Sequence, residues 1–209
     1  MTSGARSEFP LFPLGMVALP GESIPLHIFE DRYKRMIEHC LAGDGEELGI
    51  IWLSEEELKQ VGCACAVEQV LERHPDGRLD ILVRGSWPFE LLERQDSLPY
   101  PAGVVQALQD EPEQPDAGAA AIARELYRQL VMQATDRELG EQELERMSSY
   151  DMAATVEFER EAKQELLELR SENARMQLMG RLLAGALERL ELIERAQARA
   201  MSNGKVRFS

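Results

Sequence analysis

Hydrophobic and polar positions change their period several times along the chain, and each change predicts an element. Phe9-Pro10-Leu11-Phe12-Pro13-Leu14 is apolar but interrupted by proline, which suits a sheet edge because proline cannot donate to a ladder. Met16-Val17-Ala18-Leu19 is a short apolar run closed by the turn pair Pro20-Gly21, and residues 24–29 form a second extended segment. From Glu30 the period becomes helical. Tyr33, Met36, Ile37, Cys40 and Leu41 fall on one face, acidic Glu30 and Asp31 stand where the helix dipole favours negative charge, and Gly43 ends the run. Residues 48–53 read as a buried strand and polar 54–60 as a loop or single helical turn. Val61, Cys63, Cys65 and Val67 then alternate along a strand that continues to about Arg73. His74-Pro75-Asp76-Gly77-Arg78 signals a hairpin, with a return strand over 79–84 and further strands at 87–94 and 102–109. At least six strands with short connections predict a compact sheet or partly closed barrel.

The pattern after Pro115 is helical. Asp116 caps a helix whose predicted face is Ala119, Ile122, Ala123, Leu126, Leu130 and Val131. Shorter helices are expected near 137–147 and 149–157, then a helical region from about Glu159 to Met201, broken near Ser171. Its last part spaces Met176, Met179, Leu183, Ala186, Leu190 and Ile193 by threes and fours. Gly180 and Gly185, unfavourable within a helix, suggest a close helix crossing. Asn203-Gly204 is a stop signal before a short tail.

Composition sharpens this division. All 10 prolines lie at or before Pro115, so a boundary is expected near residues 111–115, giving a strand lobe over 1–115 and a helical lobe over 116–209. The formal net charge is −15, and the first 115 residues carry 9 basic against 21 acidic side chains. Such a surface repels phosphate backbones, which argues against nucleic-acid binding. No apolar run has the ~20 residues of a membrane helix, and the first residues lack a signal-peptide core, so no membrane role and a cytoplasmic location are expected.

Motifs with chemistry are scarce. GxxxxGK[ST], GxGxxG and HExxH are missing, and His27, His39 and His74 have no metal-like spacing in sequence. Cys63-x-Cys65 would need two further zinc ligands, for which Cys40 and His39 are the only nearby choices. On an extended strand their Cα atoms stand ~6.6–6.8 Å apart, near the upper limit for a disulfide. Buried reduced thiols are therefore expected, with no cofactor and no metal. Glu55-Glu56-Glu57 reads as a solvated loop.

One stretch carries a family pattern. Pro10 to Leu14, the Pro20-Gly21 turn, and Pro25-Leu26-His27-Ile28-Phe29-Glu30-Asp31-Arg32-Tyr33 resemble the opening of the Lon protease N-terminal, or substrate-binding, domain. Pro75-Asp76-Gly77-Arg78, Leu82-Val83-Arg84-Gly85, Phe89 and Pro99-Tyr100 are similar to later parts of the same pattern. The resemblance implies an α+β fold: a six-stranded PUA-like pseudo-barrel with one helix, followed by a helical bundle with a long last helix. It is to stand-alone bacterial members that lack the AAA+ and Ser–Lys peptidase domains, which 209 residues cannot also hold. It therefore implies a non-catalytic module that binds protein or peptide segments, such as unfolded clients or a protease, as an adaptor in protein quality control.

The residues suggest where such binding would occur. Phe12, Ile28, Phe29 and Tyr33 read as core anchors, Glu30 as a cap for the first helix, and Arg32 as a partner for a carboxylate across the lobe. A groove at the lobe junction is expected, with an extended peptide added to a sheet edge. Phe9, Phe29, Glu30, Arg32, Tyr33, Trp52, Arg84, Trp87, Met176 and Met179 are the binding candidates; no catalytic residue is named. Two alternatives are a hydrolase with its site at the junction and RNA binding through the PUA-like fold. A homodimer through the 176–193 seam is compatible with the same pattern.

Overall fold

The computed structural model describes residues 4–43, 47–55 and 57–203. Its elements run β1 (Arg6–Leu14), β2 (Ser23–Ile28), α1 (Asp31–Ala42), β3 (Glu47–Leu53), β4 (Leu58–Arg73), β5 (Leu79–Gln95) and β6 (Ala102–Ala107), then α2 (Ala117–Thr135), α3 (Glu141–Arg146), α4 (Ser149–Ala153), α5 (Arg160–Glu168) and α6 (Glu172–Asn203). This is the α+β order expected, with six strands followed by helices and a long last helix. Glu56, Gly204 and the 205–209 tail, all part of the sequence reading, lie outside the described residues. No described helix is long and apolar enough to cross a membrane.

The sheet closes on itself. Its order is β2-β5-β4-β3-β1-β6, and β6 also pairs with β5, so five strands form a ring to which β2 is attached. β1 and β3 run parallel and the other pairs are antiparallel. Inside, Phe9, Leu11, Ile51, Ala64, Phe89 and Val105 form a buried cluster. Gly49 and Gly62 make room for the Phe89 ring: a Cβ on either would stand 2.7 or 2.5 Å from it. On β4, Cys63, Ala64 and Cys65 are buried in succession, so both faces of that strand are covered. α5 packs on β4, where the Gln164 amide donates to the Val61 carbonyl at 3.2 Å. The three cysteines are free thiols, and burial pushes the Cys63 thiol well above its usual range, with the Cys65 hydrogen bond adding to the shift.

Two strands expected at 79–84 and 87–94 are one continuous strand, β5. Gly85 reads as a break in sequence but serves a close approach. A Cβ there would lie 2.1 Å from the Leu19 carbonyl oxygen. Gly21 N donates to Gly85 O at 2.8 Å, and Gly85 N donates to Glu22 O at 2.9 Å. The 16–22 loop is thus stitched across β5, and the ladder with β4 absorbs the irregularity as a register shift between Ala64 and Cys65. Within the 54–60 stretch Ser54 and Glu57 hydrogen-bond each other, and β4 is already under way at Leu58.

Two compact units interleave along the chain. The strand unit runs to Pro112 and also holds Tyr150–Ser171, a stretch that composition assigned to the helical part. The second unit combines Glu113–Ser149 with the chain from Glu172 onward. There, Asp116 accepts from Gly118 N and Ala119 N and so caps α2, and Asn173 ties Asp116 N and Gln114 O to the start of α6. The buried face of α2 is Ala123 and Tyr127; Ile122, predicted on that face, is 62% exposed. α6 buries Met176, Leu178, Met179 and Leu183, whereas residues 191–197 are exposed, including Ile193 of the predicted seam. Among the described residues, no close crossing explains the α6 glycines. A Cβ on Gly180 would meet Ile122 at an ordinary 3.6 Å, and one on Gly185 would meet nothing within 4 Å.

Candidate functional site

The strand unit carries a groove of about 410 Å³. Four places in the fold build it. β1 supplies Leu11, Phe12, Pro13 and Leu14; the end of β2 and the start of α1 supply His27, Ile28, Phe29, Glu30, Arg32 and Tyr33. Leu53 and Leu58 come from either side of the β3–β4 turn, and Arg94, Gln95, Asp96, Pro101 and Ala102 from the β5–β6 connection. The floor is apolar because these strands turn their buried residues inward. Phe12 and Tyr33 pack with ring centroids 4.2 Å apart. Two large apolar side chains stay open to solvent at the groove, Phe29 at 60% and Leu53 at 49% exposure.

Charge at the groove is local and paired. Arg32 binds the Glu30 carboxylate at 2.8 Å and lies 4.5 Å from the Tyr33 ring centroid. Glu30 occupies the position before α1 but makes no side-chain cap, because its carboxylate is engaged by Arg32 two residues on. Arg32 therefore pairs with its own neighbour, not with a carboxylate across the lobe as expected. Burial pushes the Tyr33 phenol above its ordinary range; the Arg32 charge opposes the shift and Glu30 adds to it.

Of the ten residues singled out in sequence, the groove brings together Phe29, Glu30, Arg32 and Tyr33. The rest are elsewhere. Phe9 is 2% exposed, inside the ring against Phe89 and Trp87 at centroid distances of 5.7 and 5.8 Å. Trp87 is half-buried and its indole N–H donates to Glu47, which also binds Arg6. Trp52 is buried, with Lys59 Nζ 5.7 Å from its ring centroid. Arg84 stands on β5 opposite Ser23, 3.9 Å from Glu68. Met176 and Met179 are buried within the second unit, so they serve its packing and present no surface.

Sequence reading missed the groove residues His27, Leu53, Leu58, Arg94 and Asp96. Only strand register brings them beside Tyr33, and no spacing along the chain announces it. The same register produces a cluster the spacing of the histidines hid. His27 lies opposite Asp80 in the β2–β5 ladder, and His74 enters from the β4–β5 turn. Asp80 is hydrogen-bonded by His27 Nδ1 and by His74 Nε2, and these bonds, that from His27 first, hold its carboxyl below the ordinary range.

A family model described as the ATP-dependent protease La (LON) substrate-binding domain matches residues 8–185, from β1 into α6. The chain belongs to that family. Lon proteases of Flavobacterium johnsoniae and Parabacteroides distasonis are 25% and 29% identical over 140 and 123 residues. Those stretches cover 61% and 54% of this chain but 17% and 15% of the relatives, so the chain spans about a sixth of the Lon proteases it matches. Two solved structures share the fold of this Lon substrate-binding domain. The Lon N-terminal domain protein from Xanthomonas campestris superposes with a TM-score of 0.58 at 22% identity, covering 82% of this chain and 96% of that one. The N-terminal domain of the Mycobacterium avium complex Lon protease gives 0.59 at 17%, covering 85% and 98%.

Proposed function

We propose that this Lon substrate-binding domain holds extended segments of protein substrates in the groove beside Phe29, without catalysing a reaction on them. The observation that carries the reading is the pairing of an apolar floor with two exposed apolar side chains, Phe29 and Leu53, on one groove. Water is displaced from both when an apolar side chain enters, and that gain scales with the area covered. β2 supports the geometry. It pairs with β5 alone among the described strands, so its outer edge is open to an added strand. An adaptor role in protein quality control, with unfolded clients or a protease as partners, extends this reading. A reducing, cytoplasmic compartment suits its three free thiols.

Fluorescence anisotropy with labelled, unstructured peptides tests it. Peptides carrying bulky apolar side chains should bind, and Phe29→Ala should weaken them about tenfold, the loss of roughly one buried aromatic contact. Peptide affinity unchanged in both Phe29→Ala and Leu53→Ser would remove the groove from the account.

A further inference from the structure

We propose that His27, His74 and Asp80 form a site for a divalent transition-metal ion of the zinc class, three-coordinate from the protein with a fourth position open. One ligand atom from each residue lies within 4.8 Å of the others. The three residues come from three places, β2, the β4–β5 turn and β5, yet converge on one carboxylate. Two imidazoles and a carboxylate are a donor set that zinc accepts, and three protein ligands leave a position for water. The two imidazoles meet different oxygens of that carboxylate, His27 Nδ1 at Oδ1 (2.5 Å) and His74 Nε2 at Oδ2 (2.8 Å). Zinc bonds of about 2.0–2.1 Å place tetrahedral ligand atoms roughly 3.3 Å apart, so both contacts open slightly while ligand atoms now up to 4.8 Å apart close on the ion.

The surroundings favour the ion. His27 and His74 are braced edge to face with centroids 5.9 Å apart, and His27 also stacks on Phe29 at 6.0 Å. Metal ligation through His74 Nε2 leaves Nδ1 to carry the proton. Glu72 Oε1 stands 3.4 Å from that nitrogen, the outer carboxylate that commonly orients a ligating imidazole. All three side chains are partly exposed, so the ion has a way in, and the acidic chain attracts cations. The ion takes the lone pair of each ring nitrogen that faces Asp80, so each ligating imidazole carries its proton on the other ring nitrogen. His27 also lines the groove, so an occupied site ties one groove residue to the β4–β5 hairpin. The proposal does not depend on peptide binding.

The full-length chain titrated with Co²⁺, and then with Zn²⁺ in competition, tests this. One equivalent of Co²⁺ should produce the visible absorption of a low-coordinate N/O site, Zn²⁺ should displace it, and Mg²⁺ should not. Asp80→Asn and His74→Ala should each weaken binding at least tenfold. Should either variant lose its far-ultraviolet circular dichroism, His27→Gln on the exposed face of β2 reads the same site. No Co²⁺ spectrum would overturn the proposal. So would binding unchanged in the folded variants, or binding abolished only by Cys63→Ser with Cys65→Ser.

Discussion

Phe89 shows how tightly single residues are held. Its ring fills the ring of strands against backbone at Gly49 and Gly62, and a methyl group added at Gly62 would also lie 2.6 Å from the Ile50 carbonyl oxygen. Gly62→Ala should therefore destabilise the protein by about 1–3 kcal/mol, and Phe89→Ala by about 3–5 kcal/mol, in urea denaturation. Phe29→Ala should leave the same transition within about 0.5 kcal/mol, because its ring is largely in water. That contrast separates Phe29 from the anchors with which the sequence grouped it. An aromatic beside an apolar run reads alike whether it points inward or outward, and only the turn from β2 into α1 settles the direction. Arg32 and Glu30 illustrate the same limit: opposite charges two residues apart gave no sign that they would bind each other.

Periodicity was informative wherever an element's partner is local or the face is broad. Tyr33, Met36, Ile37 and Cys40 were readable as the buried face of α1, though Leu41, grouped with them, is exposed, and Asp116 was readable as the cap of α2, from spacing and residue type alone. Asp116→Ala should lower stability by about 1 kcal/mol, seen as a drop in Tm, since two backbone N–H groups lose their acceptor. What remained illegible depends on register between distant strands. Gly85 marked a break in the pattern yet lies mid-strand, and the groove and the His27–Asp80 pairing appear only once β2 is laid on β5. Met176 and Met179 had a periodic face, but spacing does not say which helix covers it. The same element scale carries an acid response. Arg128 and then Gln129 hydrogen-bond Glu125 on α2 and hold its carboxyl at about 2, below its ordinary 4.5. Its contribution is complete above about pH 4.5 and disappears as pH falls toward 2. The Tm of Glu125→Gln should consequently fall less than that of the parent between pH 5 and 2.

At the scale of the molecule, the strand unit needs a stretch that composition would cut away. A fragment ending at residue 115 lacks α5 and bares the part of β4 on which that helix packs, so it should bind the dye ANS and melt without a sharp transition, unlike the full chain. The interleaving also sets a schedule during translation. The last strand ends at Ala107, but the helix that covers β4 is complete only at Glu168. Roughly sixty residues separate the two, which at ~5–20 residues per second leaves several seconds between them. Throughout that interval the part of β4 that α5 covers stays wet and open to neighbouring chains. A domain of the Lon substrate-binding family is, at its own birth, briefly a client in need of shelter.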